Sequence, residues 1–224
     1  MTTALHRTIS ALLRARRYRG KRLIIGTMLV GFVLLNVEAC IQAHAVTHFV
    51  TEAPSASDLR TAPLSDKLAL LVTGVPVARP TNTQTPMDHY LPYEVHRIAL
   101  PNAEQLESWY VPHPNPAGIV ILFVGYAGAK EGDLTPAAHL YQWGYSSLLV
   151  DFRGAGGSSC SDTTLGMREA DDVAAAMAYV QHHWPNRPSS CMACRWVGRP
   201  SFVRLPSTIF TRRPSLWRSS LIGC

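Results

Sequence analysis

Residues 23–37 form an apolar run. Glu38 interrupts it, and a softer apolar stretch continues to Val46. Arg14, Arg16, Arg17, Arg19, Lys21 and Arg22 lie immediately before it. About 20 mostly apolar residues behind a cationic flank have the length that crosses a bilayer. The pattern predicts a signal anchor over residues 23–46, with residues 1–22 as a basic cytoplasmic flank. Two other readings stay open. A cleaved signal peptide would use Ala43-His44-Ala45 as its small-residue site. A lipoprotein signal would use Cys40, but Glu38 sits inside that motif and opposes it. In each case the positive side stays cytoplasmic, and residues from about 50 onward lie across the membrane. The expected location is therefore a single-pass membrane protein with a non-cytoplasmic carboxyl-terminal domain. Cleavage would make it secreted or periplasmic.

Residues 47–92 are rich in Pro, Thr, Ser and Ala and read as linker or cap, with one short helix near 66–71. From residue 93 the pattern sharpens. Residues 93–100 and 106–111 alternate about a turn at Pro101-Asn102-Ala103, as an antiparallel hairpin does. In the second strand Leu106, Ser108 and Tyr110 share one face, and Glu107, Trp109 and Val111 the other. Residues 118–124 are apolar throughout, as in a parallel strand covered on both faces. Residues 136–143 read as a helix closed by Gly144, and residues 145–150 as another buried strand. Thr163 or Thr164 caps a helix starting near Gly166. Met167, Ala170, Val173, Ala174, Met177 and Val180 follow its 3.6-residue period. Hairpin, strand, helix, strand, helix is an α/β order with right-handed crossovers.

The formal net charge of +6 suggests an acidic partner until its layout is considered. Residues 1–22 hold seven Lys/Arg and no Asp/Glu, and residues 187–224 hold seven Arg and no Asp/Glu. The remaining seven basic residues share the middle with all 15 acidic ones. A nucleic-acid protein needs its basic residues on the folded surface that meets phosphates, so nucleic acid is not an expected partner. Five cysteines in no framework spacing do not read as a disulfide scaffold.

Three segments resemble a known family. Phe123-Val124-Gly125-Tyr126-Ala127-Gly128-Ala129-Lys130-Glu131 resembles the loop after the third strand of α/β-hydrolases of the serine-aminopeptidase and esterase-like group. Asp151-Phe152-Arg153-Gly154-Ala155-Gly156-Gly157-Ser158-Ser159 resembles their D-x-R-G-x-G-x-S loop after the fourth strand. Thr163 to Gly166, Glu169 and Asp172-Val173 resemble the helix that follows. The resemblance covers about residues 93–187. It implies the amino-terminal half of an α/β-hydrolase, preceded by one transmembrane or signal helix. It also implies that the Tyr126 backbone N–H, on a turn made by Gly125, is one oxyanion donor, the other coming from the residue after the nucleophile. The family usually has His-Gly where this chain has Val124-Gly125. By the same resemblance Asp151 and Arg153 are structural. His96, His113, His139, His182 and His183 match no catalytic histidine.

The next element should be a fifth strand ending in G-x-S-x-G. The chain reads Ser189-Ser190-Cys191-Met192-Ala193-Cys194-Arg195-Trp196-Val197-Gly198, and G-x-S-x-G occurs nowhere in it. From residue 187 the composition shifts to seven Arg, seven Ser, four Pro and three Cys, with no acidic residue or Lys. Suppose the codons are TCN, TGY, ATG, GCN, CGN and TGG, and each new codon starts on the third base of the one before. Ser189 to Cys191 then become apolar residues. Met192 becomes Tyr or His, Ala193 becomes Gly, Cys194 becomes apolar, Arg195 becomes Ser or Pro, Trp196 becomes apolar and Val197 becomes Gly. That is an apolar strand and a G-x-S-x-G elbow where the fold requires them, with Arg195 at the nucleophile. The expectation is a reading frame displaced near Pro188, a truncated family match, and a disordered out-of-frame tail over 188–224. Loss of the fifth strand would leave an apolar sheet edge exposed. The competing reading is a zinc or redox site at Cys191-Met192-Ala193-Cys194 with His182 and His183. One C-x-x-C without a second pair is a weak signal for it.

Intact relatives would hydrolyse small ester or amide substrates with serine, histidine and acid, and need no cofactor or metal. The chain as read carries no nucleophile, acid or histidine in place, and is expected to be inactive. The alternative is a non-enzymatic membrane-associated remnant or interaction protein.

Overall fold

The computed structural model describes residues 2–196 and 199–201, with side chains from residue 21 to 190 apart from Ala56. Thirteen regular elements follow in chain order. They are α1 (Thr2–Thr47), β1 (Phe49–Val50), α2 (Ala56–Thr61), α3 (Leu64–Thr73), β2 (Val77–Ala78), β3 (Glu94–Ala99), β4 (Gln105–Val111), β5 (Ile119–Phe123), α4 (Leu134–Gln142), β6 (Ser146–Val150), α5 (Met167–His183), β7 (Ser189–Trp196) and β8 (Arg199–Ser201). Contacts divide the chain into two compact units. One holds residues 1–46 and 59–75, and the other holds 47–58 and 76–224.

In the first unit the basic flank and the apolar run are one continuous helix. Its stretch Lys21–Thr47 is long and apolar enough to cross a membrane. The polar side chains Thr27 and Asn36 return their donors to carbonyls one turn back. Thr27 Oγ1 donates to Leu23 O at 2.9 Å, and Asn36 Nδ2 to Phe32 O at 2.8 Å. A polar donor in an apolar surrounding needs such a partner.

The second unit is built on a six-stranded sheet of order β3-β4-β6-β5-β7-β8. β3 and β4 are the expected antiparallel hairpin, and β4 meets β6 antiparallel. β6, β5 and β7 run parallel. β5 and β6 are buried along their whole length, because α5 covers one face and α4 the other. Ile119, Ile121 and Phe123 pack with Leu106, Tyr110, Ala176 and Val180 on the α5 side. Val120 and Leu122 pack with Trp109, Val111, Leu134 and Leu140 on the α4 side. The period of two in β4 divides its side chains between the same faces. α4 stops at Gly144, whose φ of 82° closes the last turn as only glycine does without strain.

Two expectations are corrected. The stripe of α5 is only partly the expected one: Val173, Met177 and Val180 face the core as expected, but Met167, Ala170 and Ala174 are exposed, while Glu169, Asp172 and Ala176 are buried. Two carboxylates face inward because specific donors wait for them there. The second correction concerns the tail expected to be disordered over 188–224. Its first residues form β7, which pairs parallel with β5 from Ile119↔Ser189 to Phe123↔Ala193 and covers the edge expected to be bare. Instead of turning sharply into a helix at Ala193, β7 continues to Trp196 and returns antiparallel as β8. The rest of that expectation, residues 202–224, lies outside the described residues.

Candidate oxyanion loop and its support

The carboxyl ends of β5 and β6 carry the two glycine-rich loops. After Phe123 the chain makes a turn in which the Gly128 N–H donates to Gly125 O at 3.1 Å, with Ala127 at φ 55°. Gly128 is required by close approach, since a Cβ there would overlap the Val124 side chain. Val124 therefore packs inside the loop. Tyr126 lines an open depression together with Phe49, Pro80, Phe152 and Thr163. Its ring meets that of Phe49 at 6.0 Å, and burial pushes its phenol above the ordinary value of 10.0.

Beneath this loop sits a fully buried Lys130. Its Nζ donates to Asp151 Oδ2 at 2.5 Å and to Glu107 Oε1 at 2.8 Å, and lies 4.3 Å from the centroid of Trp109. Asp151, also fully buried, accepts the Lys130 N–H at 2.7 Å, the Gly157 N–H at 3.2 Å and Asn82 Nδ2 at 2.9 Å. One carboxylate thus fastens the loop after β5, the loop after β6 and the segment around residue 82. A buried carboxylate survives only when its lone pairs are filled in this way. Glu131 continues the lacing: its carboxylate accepts the N–H groups of Thr83 and Gln84, and its own N–H donates to Asn82 Oδ1 at 3.1 Å.

The loop after β6 is held from its far side by Arg153. Its Nε pairs with Asp172 Oδ1 at 2.7 Å, and its other nitrogens reach Glu104 Oε2 at 2.7 Å and Arg168 O at 2.9 Å. Burial pushes the Asp172 carboxyl up against the pull of Arg153. Glu169 goes the other way. Burial acts to raise it, but hydrogen bonds from Thr163, Thr164 and the Gly166 N–H outweigh that and hold it at about 2. Glu169 thus caps α5 from its third position, reaching back to Gly166 N at 2.8 Å. Thr164 Oγ1 shares the task by accepting the Arg168 N–H at 2.7 Å. Cys160 lies between Glu104 and Arg168, and burial pushes its thiol up, away from the thiolate a nucleophile needs.

The structure brings Gly125, Tyr126, Asp151 and Arg153 together at one end of the sheet. The histidines are engaged elsewhere. His96 meets Tyr179 Oη at 2.9 Å and Glu94 at 3.2 Å, and His113 Nδ1 accepts the Asn115 N–H at 3.2 Å. The His139 ring stacks on Trp143, and His183 Nδ1 meets Tyr179 O at 2.9 Å with His182 beside it. The side chains of Cys191, Cys194 and Arg195 lie outside the described residues. The backbone of Arg195 lies in β7, two residues past the last pair with Phe123. Sequence reasoning missed the roles of Lys130, Glu107 and Asn82. The signal available was Glu107 itself, a charge on the strand face that Trp109 and Val111 occupy, since such a charge must find a buried partner.

No protein-family model matches the chain, and no curated protein matches it. Among solved structures it is similar to the Pyrococcus furiosus esterase Pf2001, at 24% identity over 52% of this chain and 48% of that one, with TM-score 0.48. It is also similar to the α/β hydrolase GrgF from Penicillium sp. sh18, at 19% identity over 46% and 37%, with TM-score 0.40. A third is a soluble variant of the Saccharomyces cerevisiae monoglyceride lipase, at 19% identity over 52% and 38%, with TM-score 0.38. The chain spans about half the length, or less, of these structures. An antiparallel hairpin leads into the crossed order β4-β6-β5-β7, with both glycine-rich loops at the carboxyl end of its parallel strands, so the second unit has an α/β architecture.

Proposed function

We propose that this chain is the membrane-tethered amino-terminal half of a serine hydrolase of ester or amide bonds, with its nucleophile out of register. As it stands, the polypeptide carries out no serine-dependent turnover. The observation that carries the reading is the pairing of Phe123 with Ala193. Ala193 is the residue that becomes the first glycine of G-x-S-x-G one base out of frame. Its register sets it level with Phe123, the last residue of β5, two residues before Gly125. The serine two residues on would then stand beside the oxyanion loop, where acyl transfer needs it. In this chain that position is Arg195, whose guanidinium stays protonated and is no nucleophile. The Tyr126 N–H is left as one donor of an oxyanion hole that lacks the second. α1 is the tether, spanning the bilayer with residues from about 50 onward on the non-cytoplasmic side.

The test is intact-mass analysis of the purified chain in detergent after treatment with a fluorophosphonate probe. The expected result is no adduct. A near-stoichiometric adduct on any serine overturns the reading.

A further inference from the structure

We propose that α3 lies on the membrane as an interfacial helix, docked by its last turn to the carboxyl-terminal end of α1, with an apolar stripe set into the boundary between headgroups and acyl chains. The proposal rests on the reading of α1 as a membrane span.

The stripe consists of Leu64, Leu68, Leu71 and Val72, which are 72%, 54%, 64% and 63% exposed. At about 100° per residue these positions fall within one sector of roughly 100°. Ser65, Asp66, Ala69 and Thr73 lie on other sides of the helix. No residue of α3 is buried, so among the described residues nothing covers the stripe. A contiguous row of four exposed aliphatic side chains marks a surface made to meet something apolar.

The position of α3 within its unit names the occupant. Gln42 Nε2 on α1 donates to Leu71 O at 2.8 Å and Leu70 O at 3.5 Å, and is itself held by Glu38 at 2.7 Å. Gly74 comes so close to Ala45 that a Cβ at Gly74 would overlap the Ala45 side chain. The last turn of α3 is therefore fixed at the level of Gln42 to Ala45. A hydrocarbon core of about 30 Å takes about 20 helical residues. Counted from Leu23, where the exposed apolar run of α1 begins, it ends near Gln42. The last turn of α3 thus lies where the acyl chains end, and Gln42 meets its polar atoms there. A helix of α3's ten residues, about 15 Å long, with an apolar face and a polar back suits that boundary.

The test uses the full chain in phosphatidylcholine vesicles, with an environment-sensitive fluorescent amino acid placed singly at Val30, Asp66, Leu68, Ala69 or Leu71. Doxyl-labelled lipid is the quencher. The expected result is quenching at Leu68 and Leu71 at least roughly twofold stronger than at Asp66 and Ala69, with strong quenching at Val30. Quenching at Val30 but equal, weak quenching at the four α3 positions overturns the proposal alone. Blue-shifted emission at Leu68 and Leu71 that lipid does not quench overturns it in favour of a second copy of the chain on the stripe. Absence of quenching at Val30 overturns the span, and the proposal with it.

Discussion

Lys130→Met is expected to lower the unfolding free energy of the sheet unit by about 3–5 kcal/mol, the usual cost of breaking a buried ion pair from one side. The ammonium has no exposed surface, and neither has Asp151, its partner at 2.5 Å. Methionine fills much of the same volume, so packing changes little. What changes is that Asp151 loses its buried cation and keeps only the backbone N–H groups of residues 130 and 157 and Asn82 as donors. Glu107 also loses its inward partner. Urea unfolding in detergent, followed by tryptophan fluorescence, measures the loss. Trp109, directly below the ammonium, is a built-in reporter. The Lys130→Met/Asp151→Asn double variant separates charge from shape. The two losses should be non-additive by about 1–3 kcal/mol. Additive losses would mean the pair does not act as a unit.

Gly154→Ala is expected to cost about 2–6 kcal/mol, from backbone strain of about 1–3 kcal/mol and overpacking of similar size. Its φ is 88°, and an added Cβ would press on the backbone of Asp162, including its carbonyl oxygen. That backbone has little freedom to yield. Asp162 bridges to His48 across an isolated pair, and its side chain holds Arg168 at 2.7 Å. The Gly154 N–H closes the loop on Ser159 O at 2.8 Å. Gly132→Ala is the control, since that glycine has no positive φ and its Cβ would make only an ordinary contact at 3.5 Å with Val124. It should change stability by no more than about 0.5 kcal/mol. Equal losses in the two variants would show that the loop does not depend on the left-handed turn at Gly154.

The sheet was legible because its strands carry period-two patterns or are apolar throughout. The pattern in β4 put Tyr110 and Trp109 on opposite faces, where α5 and α4 cover them. The glycine-rich loops were legible because their glycines meet steric demands that no other residue satisfies at Gly154 and Gly128. The face of α5 was legible only in part, through Val173, Met177 and Val180. Apolar periodicity treats Glu169 and Asp172 as surface, whereas the helix turns both inward to meet Thr163, Thr164 and Arg153. Partners distant in sequence decide such positions, and a local period does not contain them. The same holds for Lys130, whose partners Glu107 and Asp151 lie 23 and 21 residues away. β7 was missed for a different reason. Ser189 to Trp196 carry no strand pattern of their own, and the strand is seated by the open edge of β5.

The central claim is that the nucleophile elbow lies one base out of register at the carboxyl end of β7. The nucleotide sequence across the codons for Asn186 to Gly198 tests it most directly. Regrouped by one base, the codon at Arg195 takes its first letter from Cys194 and its other two from arginine. The account predicts TGT for Cys194 and a CGN codon for Arg195, so that the displaced codon is TCG, a serine between the two glycines drawn from Ala193 and Val197. TGC at Cys194 would place proline there, and an AGR codon at Arg195 would place glutamine or a stop; either result contradicts the account.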